Sequence, residues 1–511
     1  MAEAQLTTAR EGPAPTAEQA PSNLYQGYDA VAIGMLSTSA ATGAYEKTGG
    51  RSQVHIKVCE SAEEVAEALE IDASVSVSYL KIASATAKMS FMKKLNITSH
   101  SVAIVVYASH HSGRWSAKNA KLQDTVTPPE DDNSAADFVA SYGDSFINAV
   151  TLGGEYYAVY TFRTQTRTEQ SSLSTSLKAS GIYAGVSAEV DIQTKLSNFM
   201  SNTETNWTFD QEVTGIENPV LPSQDGLIEY AVSFPSRPID SPVVTNITTR
   251  GYESLMGAAR RKFAKVTKNR GYFVDPDDGL LKSLAHLTAV KNQITWLKRI
   301  YARYNYQGDT DLLAFEREIN ADIKAINGQV DDWEIDATTS FTPPPLSSID
   351  KGEPVLQFDV AQPPTWGGPG GSPFQSASVG EAIKNQVRIT GIRLAGGSFV
   401  DRIEVDYASD KRTWQARHGG DGGAPQQWLR LEEGQFPKRI DLRSGSYVDW
   451  LRIHLTDGRT TEVGGPGGYS ADWQVGTDEV VLGLAGRAGS YIDQLQIIYA
   501  KLKPAKYIKP I

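Results

Sequence analysis

The C-terminal third of the chain contains one short pattern three times. Gly-Ser, an aromatic residue, an aliphatic residue and Asp occur in this order at residues 397–401, 445–449 and 489–493. A second string, Gly-Gly-x-Gly-Gly, is present at residues 367–371, 419–423 and 464–468. Successive copies are 44 to 52 residues apart, and a unit of this size needs its neighbours to bury its apolar face. The repeats therefore predict three copies of one β unit that close into a threefold structure.

Both strings suit a ligand with neighbouring hydroxyl groups. Glycine lets the backbone turn and leaves N–H groups accessible, and an Asp carboxylate accepts two hydrogen bonds. The Gly-rich string has no side chains over four positions, so a ligand is able to approach its backbone closely. An isolated copy would be interpreted as a tight turn whose Asp holds its own loop. The threefold occurrence of both strings favours binding.

On these strings, residues 354–511 resemble the jacalin-related lectins, a family with a β-prism fold of three Greek-key units. In that family a sugar lies between a Gly-rich loop and a G-x-x-x-D loop, and backbone N–H groups and the Asp hold it without a metal. Other β-prisms, including lipid-binding ones and insecticidal-toxin modules, share the threefold design. The resemblance implies three sites here, with the aromatic residues against a sugar face, and in the third site the first and last parts of the domain meet.

The implied glycan-binding residues form three sets, each with one Asp loop and one Gly-Gly pair. They are Gly397, Ser398, Phe399 and Asp401 with Gly419 and Gly420; Gly445, Ser446, Tyr447 and Asp449 with Gly464 and Gly465; and Gly489, Ser490, Tyr491 and Asp493 with Gly367 and Gly368.

Two stretches of the N-terminal half alternate apolar and polar residues. The apolar positions are Ile71, Ala73, Val75, Val77 and Tyr79 in one stretch, and Ile182, Ala184, Val186, Ala188, Val190 and Ile192 in the other. A barrel strand that crosses a bilayer has lipid on one face and water on the other, and needs about 9–11 residues. The alternation predicts membrane-inserting strands, although a half-buried amphipathic sheet would show the same pattern.

Between these stretches, Tyr142, Gly143 and Phe146 are followed by Gly153, Gly154 and an aromatic strand. This arrangement resembles the signature of the membrane attack complex/perforin (MACPF) family. The residues between Gly143 and Phe146 are Asp and Ser, whereas the family has Thr or Ser and then commonly His.

The MACPF resemblance implies a bent antiparallel sheet with a helical cluster before the signature and another after it. Each cluster refolds into two strands of a large barrel. The corresponding regions here are residues 61–96, the first insertion segment, and residues 171–206, the second insertion segment. Gly153 and Gly154 would let the sheet bend or straighten; a tight turn would use the same residues.

The predicted fold class is α+β, with four regions. Residues 1–23 are expected to be a disordered tail, residues 24–336 the MACPF-like domain, residues 337–353 a Pro-rich linker and residues 354–511 the β-prism. The MACPF-like domain includes a helical stretch over residues 251–330, in which Leu280 starts a 3.6-residue apolar period.

The helical stretch is also basic. Residues 251–306 contain 11 Lys and Arg against 4 Asp and Glu. This excess is explained by a solvated helix face or by attraction to anionic lipid or a neighbouring subunit.

Composition and motif content exclude several function classes. The formal net charge of -11 argues against nucleic-acid binding, and the single cysteine, Cys59, excludes a disulfide framework and a Cys-based metal site. No sequence motif of the nucleotide-binding, hydrolase or metalloprotease kind is present, so no enzyme activity, metal or cofactor is predicted. The first 23 residues lack the apolar core of a signal peptide, so we expect a protein made soluble, then released or secreted to a target-cell membrane.

The sequence thus predicts a pore-forming toxin or effector. A soluble monomer would dock on membrane lipids and on surface glycans or a glycoprotein receptor, assemble into a homo-oligomeric ring and insert two hairpins per subunit as a β-barrel. This combination resembles bacterial insecticidal MACPF toxins. The alternative is a carbohydrate-binding or adhesion protein whose N-terminal half never inserts.

Overall fold

The computed structural model describes residues 20–32, 34–71, 87–164, 166–182, 189–203, 205–275, 277–360, 364–376, 379–409 and 412–509. The insertion-strand predictions at Ala73, Val75, Val77, Tyr79, Ala184, Val186 and Ala188 lie outside these residues.

The N-terminal part contains one antiparallel sheet with eight strands. They are β1 (Gly27–Asp29), β2 (Gly34–Met35), β3 (Ala41–Gly49), β4 (Ser52–Cys59), β5 (Ser101–Leu122), β6 (Ser145–Arg163), β7 (Asn206–Thr214) and β8 (Val243–Gly251). The long central strands β5 and β6 pair with each other, as the aromatic and β-branched runs in these stretches predict. β3 and β4 lie along the outer side of β5, and β8 and β7 lie along the outer side of β6.

Helices cover both faces of this sheet. They are α1 (Ala62–Ala68), α2 (Ala87–Lys94), α3 (Asp132–Tyr142), α4 (Arg167–Ala179), α5 (Glu189–Asn202), α6 (Leu227–Ser233), α7 (Ala264–Val274), α8 (Leu280–Arg303) and α9 (Thr310–Ile335). Side chains alternate across a strand, so Val105 and Tyr107 face the cluster that contains α1 and α2, while Ile104 and Val106 face the cluster that contains α4 to α6. The two insertion segments therefore pack against opposite faces of the sheet.

The described part of the insertion segments is mainly helical, and most of its apolar side chains are buried. Ile71 is 7% exposed beneath α1 and α2, and Ile182 and Ile192 are 0% and 2% exposed in the cluster of α4 to α6. Val190 and Ile192 belong to α5, where the period-2 alternation indicates a strand. Helix formation here follows a second pattern in the same residues, since Ile192 and Leu196 are four positions apart and are both buried.

A line of glycines crosses the sheet at the level where each central strand changes its outer pairing partner. β5 passes from β4 to β3 around Gly50 and Gly113, and β6 passes from β7 to β8 around Gly153 and Gly154, which Gly215 contacts. A Cβ on Gly50 would lie 2.0 Å from the His111 carbonyl oxygen, and a Cβ on Gly215 would lie 2.4 Å from the Gly154 Cα. These five residues, the glycine line, let neighbouring backbones approach more closely than any side chain permits.

The predicted helical stretch is confirmed by α8 and α9. Leu280, Leu284, Leu287, Ile294, Leu297 and Tyr301 are all buried on one side of α8. The Pro-rich stretch after α9 is held against that helix, because the Ser348 N–H and hydroxyl both donate to Asp322 Oδ2, at 2.7 and 2.6 Å.

The C-terminal part contains three antiparallel sheets and the short helix α10 (Val379–Lys384). Its strands are β9 (Glu353–Val360), β10 (Thr365–Gly367), β11 (Ser372–Gln375), β12 (Arg388–Gly396), β13 (Val400–Ala408), β14 (Thr413–Gly419), β15 (Ala424–Pro425), β16 (Leu429–Arg430), β17 (Pro437–Ser444), β18 (Val448–Leu455), β19 (Thr460–Gly464), β20 (Tyr469–Gln474), β21 (Glu479–Ala488) and β22 (Ile492–Ile508).

Each sheet is built on one hairpin of the repeat, and the hairpins are β12–β13, β17–β18 and β21–β22. The inner strands β13, β18 and β22 contact one another, and their equivalent residues Ile403, Leu451 and Leu495 are each 0% exposed. β10 and β11 pair with β22 and β21, so the first and last parts of the prism share a sheet, as the sequence predicts.

The prism is joined to the N-terminal part by polar contacts. The Tyr304 hydroxyl, at the end of α8, donates to the carbonyl oxygens of Ala382 and Val387 at 3.1 and 2.8 Å. Glu353, at the start of β9, lies 2.6 Å from His100 Nε2 and 3.3 Å from Arg167 Nη2. Because Arg167 is the first residue of α4, the helix that leads into the second insertion segment contacts the start of the prism.

Candidate functional site

The three repeated Asp residues occupy equivalent places in the prism. Asp401, Asp449 and Asp493 are the second residues of β13, β18 and β22, and are 7%, 8% and 6% exposed. The preceding residue of each strand is an apolar residue with 0% exposure, which anchors the start of the strand in the core. Burial of a carboxylate is costly unless hydrogen bonds satisfy it, and Asp449 Oδ2 has no partner within the described residues.

Each Asp follows a short closed turn. The N–H of Gly397 donates to the Phe399 carbonyl oxygen at 3.1 Å, and the equivalent bonds after Gly445 and Gly489 are 2.9 and 3.0 Å long. Ser398, Ser446 and Ser490 are exposed at the tips of these turns. The three turns are therefore closed by the same backbone hydrogen bond.

The structure pairs each Asp with the Gly-rich loop that the lectin resemblance assigns to it. In the first unit the Gly420 N–H donates to the backbone carbonyl oxygen of Asp401 at 3.0 Å, after Gly419 with φ +97. Gly465 and Gly368 make the same bond to Asp449 and Asp493, both at 2.9 Å. The first two glycines of each string thus hold the backbone of the Asp, while its carboxylate faces elsewhere.

The carboxylates face the last two glycines of each string, which the sequence analysis did not single out. A Cβ on Gly422 would lie 2.3 Å from Asp401 Oδ1, and one on Gly467 would lie 2.4 Å from Asp449 Oδ1. The corresponding distance between Gly370 and Asp493 Oδ1 is 2.3 Å. The regular Gly-Gly-x-Gly-Gly spacing contained this signal, but only the tertiary structure shows which pair the carboxylate touches.

The aromatic residues of the three turns pack on one another. The ring centroids of Phe399, Tyr447 and Tyr491 are 5.5 Å, 5.2 Å and 5.5 Å apart, so each ring contacts the other two. The lectin resemblance implies these rings against a sugar face, which stays a prediction. The structure places them in one central cluster among the three Asp loops, where Tyr447 is the most accessible ring with 37% exposure.

Neighbouring units also share loop contacts. A Cβ on Gly420 would lie 2.6 Å from the Ser490 carbonyl oxygen, and Gly465 and Gly368 approach Ser398 and Ser446 in the same way. Each Gly-rich loop therefore lies between the Asp of its own unit and the Ser turn of another. The three candidate sites form a ring around the aromatic cluster.

The three Gly-rich loops are held differently. Arg443 donates to two carbonyl oxygens of the loop of residues 464–468, at 2.9 and 3.1 Å, and Arg487 makes the same two bonds to the loop of residues 367–371, at 2.8 and 2.7 Å. The equivalent residue of the first unit is Ala395, which has no such donor.

The first loop has a charged residue at its centre. Asp421 is 90% exposed and pairs with Arg417, whereas the other two loops have Pro there. Beneath it, Arg402 Nη1 donates to the Gly420 carbonyl oxygen at 3.1 Å. A hydrogen bond from Arg393 holds the pKa of the neighbouring Glu404 below its usual value. The first site therefore has a more polar rim than the other two.

The signature residues of the N-terminal part lie in or against the hydrophobic core beside the sheet. Gly143 ends α3 with φ +78, and a Cβ there would lie 2.4 Å from the Tyr28 carbonyl oxygen. Phe146 is 0% exposed and packs on Tyr252 at 5.5 Å, and Tyr142 packs on the same core through a ring contact. These residues set the backbone path into β6.

Residues 364–498 match the family model of the jacalin-like lectin domain. These residues form a jacalin-like lectin domain. The jacalin-like domain is a carbohydrate-binding module, and the matched range contains all three Asp loops and all three Gly-rich loops.

Solved structures similar to the jacalin-like domain include several plant lectins. A wild-type Malaysian banana lectin is 25% identical, covers 29% of this chain and 99% of its own, and has a TM-score of 0.25. A mannose binding jacalin related lectin from Ananas comosus is 22% identical, with 29% and 99% coverage and a TM-score of 0.24. An artocarpin–mannotriose complex is 20% identical, with 28% and 97% coverage and a TM-score of 0.24. No curated protein matches the chain.

Two further features of the described residues bear on the site. No group of three or more His, Cys, Asp or Glu side chains in the ranges given above is placed to hold a metal ion. Within the same ranges, none of the helices combines the length and the apolar character needed to span a bilayer.

Proposed function

We propose that the jacalin-like domain binds glycans at three sites, each formed by one Asp and one Gly-rich loop, without a metal. The observation that carries this proposal is the pairing of each buried carboxylate with glycines whose Cβ position it would occupy. A carboxylate held this way presents acceptors next to accessible backbone donors, and neighbouring sugar hydroxyls match that set. Three weak sites on one domain add by avidity on a surface dense in glycans.

Titration of the whole chain with glycans tests this assignment. Mannose and mannotriose are the first probes, because the lectin from Ananas comosus is described as mannose binding and artocarpin was solved with mannotriose. A glycan array widens the search. The triple variant Asp401→Ala, Asp449→Ala and Asp493→Ala is expected to lose binding to every glycan that wild type binds, and a metal chelator is expected to have no effect. Asp472→Ala is the matched control, because this Asp lies in the same domain and is 65% exposed. Retained binding in the triple variant would refute the sites.

A second function, pore formation, is favoured by the sheet of the N-terminal part. The glycine line crosses its two long central strands. The two insertion segments lie on opposite faces as short helices joined to stretches rich in Ser, Thr and Ala. Few bulky residues suit a segment that must be stable in two packings. In this proposal, glycan docking brings subunits together on a membrane, and the segments refold into a closed barrel, since an open strand edge in lipid would leave backbone groups unpaired.

A chemical crosslink tests whether the second insertion segment must leave the sheet. Lys178 of α4 and Glu60 form an ion pair of 2.8 Å in which the side chains are 47% and 33% exposed. Cysteines at these two positions, joined by a short bismaleimide, would tie α4 to the end of β4. Cys59 need not be removed, because burial raises the pKa of its thiol to about 12 and keeps it unreactive.

Dye release from vesicles that carry the bound glycan is the measurement, with electron microscopy for rings. The crosslinked protein is expected to bind as wild type does and to release no dye. Each single-cysteine variant, treated with the same reagent, is the control. If the crosslink is verified and dye release persists, the proposal that the second insertion segment leaves the sheet is contradicted. Absence of release and of rings in wild type, across many lipid and glycan compositions, would leave the protein a carbohydrate-binding or adhesion protein.

A further inference from the structure

A cleft of about 670 Å³ lies between the N-terminal part and the jacalin-like domain. Its N-terminal walls are the end of β6, the start of β7 and the last turn of α8, and its prism walls are Gln386 and the turn at Glu433. Gln386 and Glu433 precede β12 and β17, whereas the Asp loops follow these strands. The cleft is therefore at the opposite end of the prism from the candidate glycan sites.

The cleft is basic although the chain has a net charge of -11. Three guanidinium groups line it, from Arg163, Arg299 and Arg303, against one carboxylate, from Glu433. Arg303 Nη1 lies 3.6 Å from Glu433 Oε1, but Glu433 is 75% exposed, so this pair is screened by water and neutralises the cleft only weakly. A concave surface of one charge sign raises the local concentration of ions of the other sign.

Helix stabilisation explains only part of this cluster. Arg299 and Arg303 are four residues apart in the last turns of α8, where cations interact favourably with the helix dipole. Arg163 comes instead from the last position of β6, opposite Asn206 of β7, and gains nothing from that dipole. Three arginines from a sheet and a helix therefore meet at one cleft, and two of them, Arg299 and Arg303, belong to the basic stretch of residues 251–306.

The chemistry of the lining selects the ligand class. A guanidinium group is planar and donates two parallel hydrogen bonds, a geometry that matches phosphate oxygens. The volume lies within the range of small-molecule sites. Trp207 adds a half-buried ring that packs edge-on against Tyr160 at 5.6 Å, and Asn206 and Gln386 add amide groups suited to hydroxyls.

We propose that this cleft binds a phosphate monoester. The phosphate is carried either by an anionic phospholipid headgroup or by a soluble ester. This site is independent of the glycan sites and of pore formation.

The test uses the whole chain at low salt with two probes. The first is glycerol phosphate in solution, measured by calorimetry; the second is vesicles of phosphatidylcholine with and without phosphatidic acid, measured by co-sedimentation. Arg299→Gln removes an exposed guanidinium, and Arg163→Gln with Arg299→Gln removes two. Lys291→Gln is the matched control, since it removes one positive charge from α8 two turns before the cleft.

Wild type is expected to bind glycerol phosphate, and each guanidinium removed is expected to weaken binding roughly tenfold, as charge-assisted hydrogen bonds are lost. Lys291→Gln is expected to stay within about twofold, because that charge is two helical turns away. If binding to phosphatidic acid vesicles falls in parallel, the ligand is a lipid headgroup; if only binding in solution falls, it is a soluble ester. No binding by wild type, or equal weakening in the control, would overturn the site. Unchanged unfolding midpoints and unchanged mannotriose titration exclude misfolding as the cause.

Discussion

Lys88 and Glu155 form an ion pair of 2.9 Å in which each side chain is only 2% exposed. Lys88 belongs to α2, in the first insertion segment, and Glu155 follows Gly154 of the glycine line. The Tyr107 hydroxyl donates to the same Glu155 oxygen at 2.5 Å, and His111 Nε2 lies 3.3 Å from it. The buried carboxylate of Glu155 therefore connects the first insertion segment to the part of the sheet that the glycine line crosses.

Removal of the cation alone should destabilise the protein strongly. Burial by itself raises the pKa of Glu155, but Lys88 and His111 outweigh this and hold the pKa below its usual value. Lys88→Met leaves a buried charge without its main partner, and we expect the free energy of unfolding to fall by roughly 3–5 kcal/mol.

Urea denaturation measures that effect. Lys88→Met with Glu155→Gln should lose less than Lys88→Met alone, because no unpaired charge remains. Lys94→Met, at a 65% exposed position of the same helix, serves as the control. A loss in Lys88→Met no larger than in the control would show that the pair is not coupled to stability.

The pH dependence of stability should carry a contribution from Asp144. Burial and then the carboxylate of Asp29 raise the pKa of Asp144 to about 7, above the value near 3.9 of an unfolded chain. Between these values the folded protein keeps a proton that the unfolded chain has lost, so this contribution to stability is complete below about pH 4 and is lost as the pH rises through 7. The loss is on the order of a few kcal/mol.

Asp144→Asn tests this contribution, since an amide does not titrate and its oxygen still accepts the hydrogen bond from the Ala30 N–H, which is 3.2 Å long in wild type. Urea denaturation at a series of pH values measures the effect. The free energy of unfolding of Asp144→Asn, relative to that of wild type, should rise as the pH rises from about 4 to 7. Asp132→Asn, at a 50% exposed position, is the comparison. A constant difference between Asp144→Asn and wild type over that range would contradict the raised pKa.

Alanine at a glycine that faces a carboxylate should abolish one glycan site at a time. A Cβ at Gly422, Gly467 or Gly370 would lie 2.3 to 2.4 Å from an Asp oxygen, closer than any contact tolerates, so the carboxylate must move. We expect each single variant to titrate with one site fewer than wild type, and the triple variant to bind no glycan. Calorimetric stoichiometry is the measurement. Gly380→Ala, where the nearest atom to the Cβ is 3.9 Å away, should titrate as wild type. Full stoichiometry in the single variants would count against the assignment of the carboxylates.

The aromatic cluster should couple the three turns. Each of Phe399, Tyr447 and Tyr491 touches the other two, and such aromatic pairs contribute about 0.5–1.5 kcal/mol beyond their buried area. Tyr447→Ala is therefore expected to weaken glycan binding at more than one site. A double-mutant cycle of Tyr447→Ala and Tyr491→Ala, followed by urea denaturation, should give a coupling energy in that range. Additive effects would show that the rings act separately.

Much of the prism was predictable from the sequence. The repeated strings at Asp401, Asp449 and Asp493 indicated three β units, and the lectin resemblance implied which Gly-rich loop lies beside each Asp. The sequence did not show that Gly422 and Gly370, rather than the glycines before them, face the carboxylates. That choice depends on φ angles above zero within the loop.

In the N-terminal part the sequence determined the local structure and the chain order: the long apolar strands, the helical stretch from Leu280, and the glycines before and within β6. Only the tertiary structure decided that Gly50, Gly113, Gly153, Gly154 and Gly215 form one line, and that Lys88 reaches Glu155. It likewise brought Arg163 to the same cleft as two arginines of α8. Short-range patterns set which residues favour a strand or a helix, but contacts between distant residues depend on the register of strands and the packing of whole elements, and no local period encodes these.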